Sequence, residues 1–186
     1  MLNGVDLNYI IVLLVTGAVL LAAIYHTILF IHRRTKLLGS YSAYLWSTFA
    51  FCIFRTVYFR DSNGFTDVLN LDEVFQMIAF GFYVRFAAVA LDLDKISDRH
   101  AANFTRMTPL VIGLYIAVNT YIFNANPFND TAYFVAKSIV RSYLLIMGFM
   151  VLVMVLRKRR SPFYSYLAAG AISIIGFGLV SSFLHI

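Results

Sequence analysis

The sequence predicts an all-α fold, a polytopic membrane helix bundle with six transmembrane helices. Hydrophobic residues occupy 61% of its 186 positions, whereas soluble domains average roughly 45–50% apolar residues. Several uncharged runs are long enough to cross about 30 Å of hydrocarbon at roughly 1.5 Å per helical residue. The expected organisation is a single transmembrane domain over residues 1–186, without a separate soluble domain.

Each predicted helix is an apolar run bounded by charged or turn-forming residues. The first follows an amino terminus without a positively charged segment, so we expect a retained helix and not a removed signal peptide. The second follows Gly39 and Ser40, and the third follows the acidic pair Asp72 and Glu73. These three helices are predicted over residues 9–31, 41–59 and 74–91.

The three later helices are bounded in the same way. The fourth follows Arg106, the fifth follows the Asn126-Pro127 turn, and Pro162 lies where the sixth would begin. All connections are short, so consecutive helices are expected to pack as antiparallel neighbours. These helices are predicted over residues 107–123, 133–156 and 164–184.

Lysine and arginine in the short connections orient the bundle, because such residues are retained on the cytoplasmic side. The first, third and fifth connections carry ten of them, whereas the amino terminus and the other two connections carry only Arg60. Both termini are therefore expected outside the cytoplasm. Because the basic residues lie beside apolar runs, topology explains the net charge of +6, and the predicted partner is the lipid bilayer, not nucleic acid.

Four basic residues lie within predicted helices and are not explained by topology: Arg55, Arg85, Lys137 and Arg141. A cation at the bilayer centre costs roughly 2.5–3.5 kcal/mol on insertion scales, so such residues normally face a bundle interior, a cavity or a partner. Measured from the start of the third helix, Arg85 lies about 16 Å deep at the helical rise. It is expected to be the costliest of the four.

These cations lead to two interpretations. Lys137 and Arg141 share one face of the fifth helix, and Arg55 lies in the outer part of the second. Glu73 and Gln76, at the start of the third helix, are plausible partners of these cations. In the first interpretation, all converge on an outward-facing pocket for a small anionic or polar ligand, with Arg85 at its floor. In the second, the outer three cations snorkel to the surface and Arg85 pairs within the bundle.

Motifs of catalytic and metal-binding sites are absent from the sequence. It has no phosphate-binding glycine loop, nucleophile elbow or HExxH pair, so no enzymatic activity, catalytic residue or cofactor is predicted. His26 has no second ligand at a metal-binding spacing and is expected to pack or hydrogen-bond. The single cysteine, Cys52, is interpreted as a buried packing residue, and Tyr41 as a ring that anchors a helix end at the headgroups.

Two segments resemble a known family. Residues 24–61, IYHTILFIHRRTKLLGSYSAYLWSTFAFCIFRTVYFRD, contain a Tyr-His helix end, a short Arg-Arg connection and a second helix that ends near Arg-Thr. Residues 159–170, RRSPFYSYLAAG, are similar to a last intracellular loop and the entry to a sixth helix. This arrangement resembles the bacterial seven-transmembrane receptors with diverse intracellular signalling modules.

The resemblance implies that the chain is the sensory domain of a receptor in the bacterial inner membrane. It also implies a dimer, as in kinase-type relatives. A cytoplasmic output module, such as a two-component histidine kinase or a diguanylate cyclase, would follow the sensory domain. The sequence ends at Ile186, on the predicted outer side and after the sixth helix, so the resemblance implies truncation before a seventh crossing. Two alternatives stay open: a small transporter or channel subunit, and a structural or assembly subunit of a larger membrane complex.

Overall fold

A computed structural model describes residues 7–60, 71–92, 99–125, 129–157 and 167–172, and every one of these segments is a helix or a short turn. Five helices are long and apolar enough to cross a membrane, which confirms the predicted all-α membrane fold. Residues 167–172 are helical and belong to the predicted sixth helix, whose remaining residues lie outside the described part of the chain. The five helices are α1 (Leu7–Arg33), α2 (Lys36–Arg60), α3 (Leu71–Ala90), α4 (Arg99–Phe123) and α5 (Asp130–Arg157).

All five helices begin earlier than the apolar runs indicate, and two of them begin more than a turn earlier. The second starts at Lys36 instead of Tyr41, and the fourth at Arg99 instead of Met107. The apolar run marks only the part of a helix that crosses hydrocarbon. Backbone hydrogen bonds within a helix do not depend on apolar side chains, so the helix continues through polar residues at the membrane surface.

Only Arg34 and Thr35 connect α1 to α2. Arg34 adopts the left-handed conformation, with φ of 45°, and its amide donates to the carbonyl of Phe30 at 2.7 Å, which terminates α1. The hydroxyl of Thr35 accepts a hydrogen bond from the amide of Leu38 at 3.3 Å and caps the start of α2. A Cβ on Gly39 would lie 2.9 Å from the Phe30 ring, so the two helices approach closely beside this turn.

The backbone conformation of this turn predicts that glycine has opposite effects on stability at positions 33 and 34. Arg34→Gly is expected to stabilise the protein by about 1 kcal/mol, because glycine adopts the left-handed conformation without the penalty that a Cβ carries. Arg33→Gly is the matched control. It removes the same charge from the last residue of α1 and should destabilise by about 0.5–1 kcal/mol. Thermal unfolding of the two variants in detergent micelles measures the difference, and destabilisation by both would contradict this account of the turn.

Two other helix ends are capped by local hydrogen bonds. After α3, Asp92 adopts a left-handed φ of 51°, and its amide donates to the carbonyl of Val89 at 3.2 Å. Before α5, the Asn129 side-chain oxygen accepts a hydrogen bond from the amide of Ala132 at 2.9 Å. Both ends therefore follow the usual capping chemistry of helices.

The chain forms two compact units. The first comprises Met1–Phe86 and Thr120–Phe128, and the second comprises Ala87–Asn119 and Asn129–Ile186. Buried residues from α3 contribute to the core of the first unit, and a buried row on α5 contributes to the core of the second. The α3 residues are Met77, Phe80, Tyr83 and Val84, and the α5 residues are Met147, Val151 and Val155.

Large apolar side chains cover much of the outer surface. On α1, Leu14 is 69% exposed and Leu21 is 71% exposed, and on α5, Ile139 is 65% exposed. In water such a surface would drive association, whereas lipid tails solvate it without cost. The exposed apolar surface is therefore that of an integral membrane protein.

Candidate functional site

A hydrogen-bond network joins α1 to α2 inside the first unit. The hydroxyl of Thr27 donates to the carbonyl of Ala23 at 2.7 Å and accepts from the indole N–H of Trp46 at 2.9 Å. It also lies 2.8 Å from the hydroxyl of Ser42. Because a threonine hydroxyl has one proton, and that proton is used on Ala23, Ser42 is the donor in this third contact. The network fixes the α1–α2 pairing.

Ring contacts set the register of α2 against α3. Phe54 stacks on Phe75 with centroids 5.1 Å apart, and Tyr44 lies 5.9 Å from Tyr83. Tyr41 lies 4.9 Å from Phe86. As the α2 residue moves toward the amino end of its helix, its α3 partner moves toward the carboxyl end, so the two helices run antiparallel. We call the end of this pair next to the Arg34–Thr35 turn the turn end, and the other end the distal end.

Arg55 and Glu73 both lie at the distal end. Arg55 directly follows Phe54, Glu73 precedes Phe75 by two residues, and the antiparallel register places them at the same level. The Glu73 side chain is only 5% exposed and Arg55 is half-buried. Each interacts with a further group in the protein. A buried carboxylate requires a charged or hydrogen-bonding partner, and Arg55 is the cation that the register brings to its level.

Gln76 and Arg85 are both exposed on α3 but lie at different depths. Gln76 lies one turn from Glu73, at the distal end. Arg85 lies about 18 Å from Glu73 along the helix axis and about 7 Å from Ala90, the last residue of α3. The nearer end of α3 is therefore the turn end. Arg55 and Glu73 therefore lie at the same level of the α2–α3 pair, and Arg85 lies near its other end.

Lys137 and Arg141 belong to α5 in the second unit, and both are half-buried. The Lys137 Nζ lies 5.4 Å from the centroid of the Tyr133 ring, a geometry that permits a cation–π interaction. Both cations interact with further groups. Their convergence with Arg55 on one ligand remains a prediction of the sequence.

An aromatic cluster in the first unit was not predicted. The ring centroids of His26 on α1 and Tyr41 lie 4.6 Å apart. Tyr41 also contacts the rings of Phe86 and Tyr44. Tyr41 therefore packs against rings of its own unit, and it lies a little more than one turn into α2, which begins at Lys36. A signal was present in the sequence, since aromatic residues recur three positions apart at Tyr41 and Tyr44 and again at Tyr83 and Phe86.

Two residues of the first unit behave as the sequence predicted. His26 packs against rings, and its Nδ1 lies 2.9 Å from the carbonyl of Ala22, so this nitrogen carries the proton. Cys52 is buried, at 6% exposure. The described residues contain no group of three or more histidine, cysteine or acidic side chains that could hold a metal ion.

Buried polar groups mark the interior of each unit. In the second unit, the Thr108 and Tyr143 hydroxyls lie 3.0 Å apart, and the Asn119 side chain is 1% exposed. The Asn119 Nδ2 and the Tyr83 hydroxyl are buried without a hydrogen-bond partner among the described residues. Chemically, these interiors can bind and orient polar groups, but the described residues in them include no nucleophile paired with a base.

Comparison with known protein families gave a match over nearly the whole chain. The model of the family described as 7TM diverse intracellular signalling matches residues 8–186, nearly the whole chain. No curated protein and no solved structure gives a significant match.

Proposed function

This chain belongs to the 7TM diverse intracellular signalling family, and from this premise we propose that it detects a small anionic or polar ligand at the distal end and signals to a cytoplasmic output module. The family is one of membrane sensory receptor domains, and its membrane domain is non-catalytic. The proposal therefore concerns which ligand is recognised and how binding changes the bundle.

The orientation of the bundle is part of this proposal. Exposed basic residues at the turn end favour a cytoplasmic location for that end, by the positive-inside rule. They are Arg33, Arg34 and Lys36. The distal end then faces outward, both termini lie outside the cytoplasm, and the membrane is the inner membrane of a bacterium. Arg55 and Glu73 then lie at the end of the α2–α3 pair that faces an external ligand.

The observation that carries the proposal is the burial of Glu73 at the level of Arg55. An anionic ligand would compete with the Glu73 carboxylate for the Arg55 guanidinium, which binds carboxylates and phosphates through two parallel hydrogen bonds. Gln76, exposed one turn away, is available to a ligand that enters from the surface. Lys137 and Arg141 are retained as further candidate ligand residues, on the basis of their charge.

Signal transmission requires that the ligand bind two states of the bundle with different affinity. Separating Glu73 from Arg55 would change the α2–α3 register at the distal end. The ring pairs along α2 and α3 connect that end to Tyr41 and His26 at the turn end, so a displacement of α3 would be transmitted across the membrane. Homodimerisation, which the family resemblance implies, would allow paired output modules to respond together.

Trp46 provides a direct test, because it is the single tryptophan and its indole N–H reports the α1–α2 contact through Thr27. Purified protein in lipid nanodiscs would be titrated with acetate, succinate and inorganic phosphate while Trp46 emission is recorded. We expect a saturable change with at least one anion and its loss in Arg55→Met. Arg106→Met removes an exposed charge from α4 and should leave the response intact.

Two results would overturn the proposal. One is the absence of a response to all three anions. The other is a response that is unchanged in Arg55→Met, which would place anion binding elsewhere in the protein.

A further inference from the structure

Arg85 is a charged residue on the outward, apolar face of a membrane helix. It is exposed, and its neighbours on the same face of α3 are Ile78, Phe82 and Val89, at spacings of seven, three and four residues. The opposite face contains Val84 and Ala87, which are 2% and 0% exposed. The guanidinium therefore projects away from the core of the protein and toward lipid.

Arg85 has no counter-ion among the residues that the structure describes. No hydrogen bond or ion pair joins it to another described side chain. The acidic residues at the ends of α3 are Asp72 and Glu73, which are about 18–20 Å away along the helix axis, and Asp92, which is about 10 Å away. A guanidinium stays charged in proteins, and an unpaired charge in hydrocarbon is costly, so Arg85 needs a partner outside the described residues, either water or an anion.

The depth of Arg85 identifies that partner. Arg85 lies about 7 Å from the end of α3, a distance that an extended arginine side chain can span by snorkelling to the headgroup region. At the same end, Arg33, Arg34 and Lys36 are all exposed and create a positive potential. Phosphate is the anion found at this depth of a bilayer, and arginine binds it through two parallel hydrogen bonds.

We propose that Arg85 binds the headgroup phosphate of an anionic phospholipid at the turn end, with Arg33, Arg34 and Lys36 favouring a negatively charged headgroup. A second copy of the chain is a weaker candidate, because no acidic residue of α1, α2 or α3 lies at the depth of Arg85. Free phosphate would have to leave water and enter along an apolar helix face. The inference is independent of the ligand response at Arg55.

Native mass spectrometry of the purified protein tests this inference directly. Detergent-solubilised protein would be titrated with phosphatidylglycerol and, separately, with zwitterionic phosphatidylcholine. We expect tighter binding of phosphatidylglycerol, and an affinity about fivefold weaker in Arg85→Leu, the loss expected for one basic residue near a membrane surface. Arg85→Lys should retain part of the preference. Leucine is favourable on a lipid-facing surface, so folding should not limit the comparison.

Arg106→Leu is the matched control, since it removes an exposed arginine from another helix and should leave the phosphatidylglycerol affinity unchanged. Equal affinity of wild type and Arg85→Leu for phosphatidylglycerol would overturn the inference. So would competition by inorganic phosphate at equal concentration, which would indicate a site for the free anion. A change from dimer to monomer in Arg85→Leu would instead identify a second protein chain as the partner.

Discussion

Replacing Glu73 with alanine is expected to lower the free energy of unfolding by about 3 kcal/mol. The side chain is 5% exposed and lies at the level of Arg55. We expect the two to form an ion pair, whose loss would leave a half-buried cation without its carboxylate. Breaking a buried ion pair on one side is costly because the remaining charge keeps its desolvation penalty. Gln76→Ala, one turn away on the exposed side of α3, should change stability by less than about 0.5 kcal/mol.

A double-mutant cycle separates the pair from the individual residues. Arg55→Met combined with Glu73→Met should be less destabilising than the sum of the single changes, by about 2 kcal/mol, because no charge is then left buried. Unfolding of all four proteins by denaturant in the same detergent gives the coupling energy. Additive effects would show that Glu73 is satisfied by a group other than Arg55.

Met147→Ala is expected to lower stability by about 2 kcal/mol, at the lower end of the range for core methionines. The side chain is fully buried in the second unit, and its loss leaves a cavity beside Val151. The effect is smaller than in a soluble protein because lipid is as apolar as the core, so the cost comes mainly from lost packing.

Ile146→Ala is the matched control for Met147→Ala, since Ile146 is adjacent in sequence and 60% exposed. Its loss should cost less than about 1 kcal/mol, because lipid tails refill the space. The same denaturant titration measures both variants. A larger loss at Ile146 than at Met147 would mean that α5 buries the opposite face.

The membrane fold was predictable because its determinants are local. Hydrocarbon requires long apolar helices, and each of the five long helices contains an apolar run visible in the sequence. The predicted start of α2 is wrong because Gly39 and Ser40 indicate a turn, although Thr35 supplies a recognisable cap. Helix boundaries at a membrane surface depend on capping as well as on apolar length.

The arrangement of the charged residues was harder to predict, because it depends on register and rotation between helices. A helix that is apolar on all sides provides little amphipathic signal for the face that packs inward. The sequence therefore identified Arg55 and Arg85 as cations within membrane helices and Glu73 as a plausible partner. It could not show that Arg85 lies far along the helix from the other two. The distinction depends on ring contacts such as Phe54 with Phe75, which are tertiary information.

The two-residue connection between α1 and α2 also has a consequence for biosynthesis. The amino-terminal helix is the more apolar of the two, and the second carries an indole N–H at Trp46 whose acceptor is Thr27 on the first. Entering the bilayer alone, the second helix would expose that donor to lipid, at an energetic cost. Because the connection is so short, we expect the translocon to release both segments together as a preformed helical hairpin. The first segment would then supply the hydrogen-bond acceptor that the second needs when it enters the bilayer.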